Sequence, residues 1–350
     1  MIPDFYSQWH VGWQVLLFIA ALSVGVVFLV KFCNLFVDGS SALAKKFRIA
    51  PMIIGLTVVA MGTSFPELAV SVFDSVDSML VGGHANVAMG NVVGSNICNI
   101  LLVLGVSVLF RPIIIKQSTL HKEFPILLGV TVLFLVFGLL FGLNSAFNDY
   151  AILRWEGIVF VEGMVAYLTF LVISAKRNPE AAPQEAIKDM PLWRAILFVV
   201  VGAAGIAVGG EAVVFGAKGL ALTGATAAGV DYDLAESLIG LTLVAVGTSL
   251  PELVTSAIAA KKGENDLALG NVIGSNVFNI LFVLGISATV NPLTTGSTIV
   301  VDLFFMTVVT FVLYLFSLRG KISRGVGTVF LGLYALYLLY LILRTLSIVG

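Results

Sequence analysis

Two glutamates draw attention because each lies in the middle of an apolar stretch. Glu67 ends the run Gly62-Thr63-Ser64-Phe65-Pro66-Glu67, and Glu252 ends Gly247-Thr248-Ser249-Leu250-Pro251-Glu252. A charged side chain at bilayer depth costs about 2.5–3.5 kcal/mol on insertion scales. Two carboxylates converging there repel each other and take up protons unless a cation lies between them. No lysine, arginine or histidine occupies a matched position, so an internal ion pair offers no relief. Carboxylates among hydroxyls and backbone carbonyls make a hard oxygen cage, which suits Ca2+ far better than zinc or copper. One Ca2+ or two Na+ would balance the pair equally, which is a charge-neutral basis for exchange.

The neighbours of the glutamates fit that chemistry. Proline has no N–H and crowds the carbonyl four residues back, so the helix must kink or break at Pro66 and Pro251. Carbonyls near Ala60 to Thr63 are thereby freed, and at membrane depth free carbonyls are tolerated only around a cavity or ligand. Further along, Asn91, Ser95 and Asn99 fall at i, i+4 and i+8 on one helical face, and Asn271, Ser275 and Asn279 repeat the pattern. Such stripes contact ions or hold helices together, with Gly90, Gly94, Gly270 and Gly274 permitting close approach. Ser95, Asn99, Ser275 and Asn279 are read here as ion contacts. Asn91 and Asn271 stay open between the two roles.

These residues need apolar helices to carry them. Of 350 residues, 59% are hydrophobic and 11% charged, with a mean hydropathy of +1.06. A soluble domain carries about 25% charged residues, so this chain reads as a polytopic α-helical membrane protein. Ten spans are expected: 13–37, 50–75, 85–110, 124–143, 156–174, 192–218, 236–260, 266–290, 298–317 and 326–346. With the amino terminus outside, fifteen lysines and arginines face the cytoplasm and three face outward, a strong positive-inside bias. Both termini are then outside and the polar linker 175–191 is cytoplasmic. Residues 1–10 carry Asp4 and no lysine or arginine, unlike a cleaved signal peptide. Net charge is −1 with no basic block, which argues against nucleic acid as a partner. Cys33 and Cys98 sit in separate apolar segments and read as packing residues.

The motifs occur in duplicate. Residues 55–68 (GLTVVAMGTSFPEL) return at 240–253 (GLTLVAVGTSLPEL), and 90–104 (GNVVGSNICNILLVL) at 270–284 (GNVIGSNVFNILFVL). A fainter echo joins Gly39–Ala44 (GSSALA) to Gly216–Ala221 (GAKGLA). Five spans separate each block from its copy. Five is odd, so the second copy enters the membrane from the opposite side, as in the inverted repeats of secondary transporters. The expected halves are 1–178 and 179–350, each of five helices, with the matched blocks at about 50–110 and 236–290.

Other intramembrane charges carry less weight. Asp38 and Glu123 are placed at interfaces, Glu162 and Glu211 in helix packing or a hydrated rim, and Lys31 where it can snorkel. His10, His84 and His121 fall at span ends or loops.

The paired G-T-S-x-P-E and G-N-x-x-G-S-N motifs, with ten spans around them, resemble the two α-repeats of the calcium/cation antiporter superfamily, specifically its sodium/calcium exchanger branch. The resemblance covers nearly the whole chain. It implies Ca2+ ligation by Glu67, Glu252, Thr63 and Thr248. It implies Na+ sites drawing on the same glutamates, Ser64 and Ser249, the carbonyls of Ala60 and Ala245, and Ser95 and Ser275, with Asn99 and Asn279 between the glutamates. It also implies alternating access by sliding of the first and sixth helices, here 13–37 and 192–218. Potassium-dependent relatives carry aspartate at one of the positions of Asn99 and Asn279, so asparagine at both argues against potassium cotransport. The proton-coupled branch usually has a further acidic residue where Gly94-Ser95 and Gly274-Ser275 stand here, which argues against proton coupling, and Ca2+/H+ exchange is kept as the nearest alternative. A cation channel is the reading from another class, but its filter forms around an oligomeric axis, whereas this chain holds both halves of its site. No H-E-x-x-H, P-loop or serine–histidine pairing points to an enzyme or an ATP-driven pump. The expectation is a monomeric secondary antiporter in a prokaryotic inner membrane, without cofactors, whose ligands are Ca2+, Na+ and the lipid bilayer.

Overall fold

A computed structural model describes residues 10–81, 87–141, 150–177, 190–229, 246–295 and 297–349. Residues 1–9, most of the 175–191 linker, His84, Ala245 and the first part of the 236–260 span lie outside the described residues. Among the described residues eight helices are long and apolar enough to cross a bilayer, and a bent pair makes up to nine.

Helix α1, Val11–Phe47, is capped by His10, whose Nδ1 accepts a hydrogen bond from the Gly12 amide at 3.2 Å. It ends at Arg48, in the left-handed conformation, with Lys45 and Lys46 in its last turn opposite the negative end of the helix dipole. Pro51, with no N–H to leave unpaired, starts α2, Pro51–Thr63. A 49° bend at Ser64 separates α2 from α3, Phe65–Leu80. There follow α4 (Val87–Phe110), α5 (Gln117–Val136), α6 (Arg154–Arg177), α7 (Leu192–Ala227), α8 (Leu250–Lys262), α9 (Asn265–Val290), α10 (Ser297–Ser317) and α11 (Arg324–Val349).

Two of these are much longer than their expected spans. Helix α1 has 37 residues and α7 has 36, or about 55 Å at 1.5 Å per residue, well beyond the 30 Å hydrocarbon core. No proline interrupts Val37–Phe47, and the polar Ser40 and Ser41 there are buried, so the helix runs on past the apolar stretch. The two helices lie antiparallel: Gly202 meets Phe36, Gly209 meets Leu29 and Gly216 meets Leu22, each so close that a Cβ would come within 2.6–2.9 Å of its neighbour. Gly205 lies flat against the Phe32 ring.

The interior belongs instead to α4 and α9. Over their most apolar 18 residues they are 78% and 94% buried, against 17% for α1. Gly105 of α4 packs on Gly327 of α11, and Gly285 of α9 packs in the same manner on Gly157 of α6. Two short antiparallel ladders close these contacts, β1 (Ile113–Ile114) with β4 (Lys321–Ile322) and β2 (Tyr150–Ile152) with β3 (Leu293–Thr295). No strand was expected from the sequence, because two- and three-residue ladders leave no alternating pattern to read.

Candidate ion-binding site between the broken helices

Ser64 and Ser249 hold nearly identical backbones, φ −89°, ψ 12° and φ −87°, ψ 4°. Each is the last residue before a helix with proline at its second position, so each proline reorients the chain one residue ahead of a glutamate. Glu67 and Glu252 are thereby placed in the first turns of α3 and α8, where the positive end of the helix dipole favours a carboxylate. Both are fully buried, and each lies within reach of the other's charge.

The break does less to the Ala60 carbonyl than proline geometry predicted. The Ser64 amide donates to it at 3.0 Å and the Thr63 hydroxyl at 3.3 Å, so it is engaged by its own helix. Thr63 would have to turn away before that oxygen faced a ligand.

Around the glutamates two bond sets recur with matched residues. Asn91 donates through Nδ2 to the Glu67 carbonyl at 3.2 Å and to Ser71 Oγ at 3.0 Å, and accepts from Thr248 at 3.5 Å. Asn271 donates to the Glu252 carbonyl at 3.5 Å and to Ser256 Oγ at 2.8 Å, and accepts from Thr63 at 3.2 Å. Each asparagine thus ties the turn that carries its own glutamate to a threonine of the other repeat. That is a positioning role, and it settles what the spacing of Asn91 and Asn271 left open.

Inside this frame the groups differ. Ser64 donates to Glu252 Oε1 at 2.7 Å, whereas both carboxylate oxygens of Glu67 are buried with no hydrogen-bond partner. Asn279 donates to Asn96 at 3.3 Å, while neither polar atom of Asn99 is bonded. Ser95 lies 3.5 Å from Thr248, and Ser249 and Ser275 are buried alongside. Asn99 and Asn279 each open a π-helical turn, Asn99–Val103 and Asn279–Leu284. A π turn shifts the helical face, a device frequent at functional sites.

A buried carboxylate without a donor is costly, and a bound cation relieves it. Apart from the Cys98 thiol beside Ser249, the available atoms are oxygens and amides, with no group of three or more His, Cys, Asp or Glu among the described residues. That set fits a hard cation held by two carboxylates and neutral oxygens, and does not fit zinc or copper.

Of the residues that sequence reasoning brought together, Ser64 bonds Glu252, Thr63 bonds Asn271 and Ser95 lies against Thr248, while Glu67, Asn99, Ser275 and Asn279 are buried. That reasoning missed Ser71 and Ser256, each four residues after its glutamate, and Asn96 and Asn276, each beside a serine already singled out. Their duplication was the available signal.

The chain matches the family described as sodium/calcium exchanger protein over residues 17–175 and 194–343. It is 40% identical over 309 residues to the protein CaxA of Alkalimonas amylolytica, covering 86% of this chain and 90% of that one. It is 33% identical over 361 residues to the sodium/calcium exchanger MaX1 of Methanosarcina acetivorans, covering 91% and 97%. Its fold superimposes on the solved sodium–calcium exchanger NCX_Mj with a TM-score of 0.76 and 32% identity, covering 93% of this chain and 99% of that one. The duplicated site therefore has relatives along its whole length, and the chain belongs to the sodium/calcium exchanger family.

Proposed function

We propose that this chain is a secondary antiporter that moves Ca2+ across a membrane in exchange for Na+. The observation that carries the reading is Glu67, a fully buried carboxylate with two unpartnered oxygens beside the charge of Glu252. Together the pair offers two negative charges, matched by one Ca2+ or by two Na+, so the ions compete for the same balance. Glu67, Glu252, Thr63 and Thr248 form the Ca2+ cage. Na+ draws on the same glutamates with Ser64, Ser249, Ser95 and Ser275, on Ala60 once Thr63 releases it, and on Ala245. Asn99 and Asn279 line the space between the glutamates.

The scaffold is ten spans in two inverted halves, residues 1–178 and 179–350, with both termini outside and the central linker in the cytoplasm of a prokaryotic cell. Membership in the family and the name of the relative MaX1, a sodium/calcium exchanger, support Na+ as the driver. The glycine-faced pairing of α1 with α7, outside the α4–α9 interior, supports their moving together past a fixed site. No cofactor takes part.

The test is 45Ca2+ uptake into proteoliposomes loaded with Na+ and diluted into Na+-free buffer. Uptake that requires the outward Na+ gradient, and disappears in Glu67→Gln and Glu252→Gln, is the expected result. Uptake driven by a proton gradient alone would replace Na+ with H+ in this reading, and uptake indifferent to both substitutions would sink the assigned site.

A further inference from the structure

The site is approached through a cavity of about 170 Å³ between α7 and the two broken-helix turns. Pro66 and Val70 line it on one side, Gly247 and Thr248 on another, and Gly210 with the exposed Glu211 along α7. Thr248 belongs to both the cavity and the site. Glu211 is the one carboxylate among the lining residues, and nothing in the assigned cage uses it.

Its symmetry partner is informative. The Gly39–Ala44 and Gly216–Ala221 echo has an offset of 177 residues, which sets Asn34 of α1 against Glu211 of α7. Because α1 and α7 run antiparallel in tight register, the two positions lie on either side of the Leu29–Gly209 contact, roughly 10 Å apart along the axis at 1.5 Å per residue. They therefore face opposite halves of the membrane. Around Asn34 the charges are paired: the Lys262 ammonium donates to the Asn34 carbonyl at 3.2 Å and to the Asp38 carboxylate at 2.7 Å.

We propose that Glu211 is a capture residue for cations arriving from one face of the membrane. Its carboxylate concentrates Ca2+ in the cavity and hands it to Thr248 and the glutamates. At the matched position of α1 the side chain is the neutral Asn34, and the nearby Asp38 carboxylate is already held by Lys262. The two faces of one nearly symmetric site therefore differ in apparent Ca2+ affinity, and the difference lies in the approaches, not in the cage. The proposal rests on the antiport reading above. A cleft of one sign raises local counter-ion concentration by about tenfold or more at low salt, less as ionic strength rises.

The experiment is the Ca2+ dependence of Na+-driven 45Ca2+ uptake in right-side-out and in everted membrane vesicles. Glu211→Gln should raise the KM for Ca2+ about threefold to tenfold at one face and leave the other unchanged. Asn34→Asp should lower KM at the opposite face. Equal changes at both faces, no change at either, or loss of uptake at saturating Ca2+ in both vesicle types would overturn the proposal. If Glu211→Gln does not accumulate as folded protein, wild-type KM at the two faces between low and high ionic strength decides: a steeper rise at one face is expected, and equal slopes overturn it. Wild-type vesicles with no Na+-driven uptake in either orientation would overturn the antiport reading and this proposal with it, a result distinct from all the others.

Discussion

The half of the site carried by α3 and α4 and the half carried by α8 and α9 use the same residue types but not the same bonds. The frame is duplicated faithfully: Asn91 with Ser71 and Thr248, Asn271 with Ser256 and Thr63. The groups inside it are not. Ser64 serves Glu252, yet no equivalent bond reaches Glu67 from Ser249. Bonds to the backbone that place the glutamates leave their carboxylates free. Bonds that touch the carboxylates compete with the ion, and an asymmetric arrangement lets one glutamate wait unbonded while the other is held. Glu67 is in this sense the poised carboxylate and Glu252 the supported one.

The comparison can be broken most severely at the carboxylates. Removing either charge should cost about 3 kcal/mol of Ca2+ binding, or a hundredfold in affinity, readable by isothermal titration. The same substitutions sharpen the contrast in protein free of Na+ and Ca2+. There Glu67→Gln should raise Tm more than Glu252→Gln, because it relieves a buried charge that has no donor. A smaller effect is expected from Ser64→Ala, which strips Glu252 of its donor and should lower ion-free stability by about 1.5–3 kcal/mol. Ser249→Ala should change it little. Equal losses from the two serines would dissolve the distinction between the glutamates.

For the duplicated frame the expectation is equality. Asn91→Ala and Asn271→Ala should each lose about 1–3 kcal/mol in denaturant unfolding, since each removes the bonds to its glutamate's carbonyl and to a buried serine. Unequal losses would mean that the frame too is specialised. Along α7, Gly205→Leu drives a side chain into Phe32 and should cost about 1–3 kcal/mol. Gly224→Leu, on the same helix with open space around its Cα, should cost nothing comparable.

The smallest effects belong to the turn after α8. Lys262→Ala removes an ion pair with Asp38 that is partly exposed, so about 0.2–1 kcal/mol is at stake and high salt should erase it. Glu264 in the same turn has its carboxyl pushed up by burial and by Asp266, against the pull of Lys262. Its ionised form is thus disfavoured in the fold, and stability is lost as pH rises from the ordinary glutamate value of about 4.3. Glu264→Gln should therefore raise Tm relative to the parent protein, with a gain that appears above that pH and is absent below it.

The repeats and the glutamates were legible because they are local facts. An apolar run with a carboxylate five residues after a glycine needs no partner to be noticed, and a copy 185 residues later makes it specific. Apolar length located the spans for the same reason, although it stopped α1 at residue 37 and α7 at 218, where polar residues begin. The helices run on because Ser40 and Ser41 are covered by packing, which hydropathy along one segment does not contain.

By itself, then, the sequence determined that the chain is a duplicated, membrane-embedded protein with two acidic turns and the oxygen-rich residues around them. Tertiary structure alone decided which serine bonds which carboxylate, that Ala60 is held by its own helix, that Asn91 and Asn271 are positioning residues, and that Glu211 shares a cavity with Thr248. The physical reason is reach. Composition and periodicity act over a few helical turns, whereas those bonds join residues about 150 to 210 positions apart, and two nearly identical sequences acquire different partners only when packing brings them face to face.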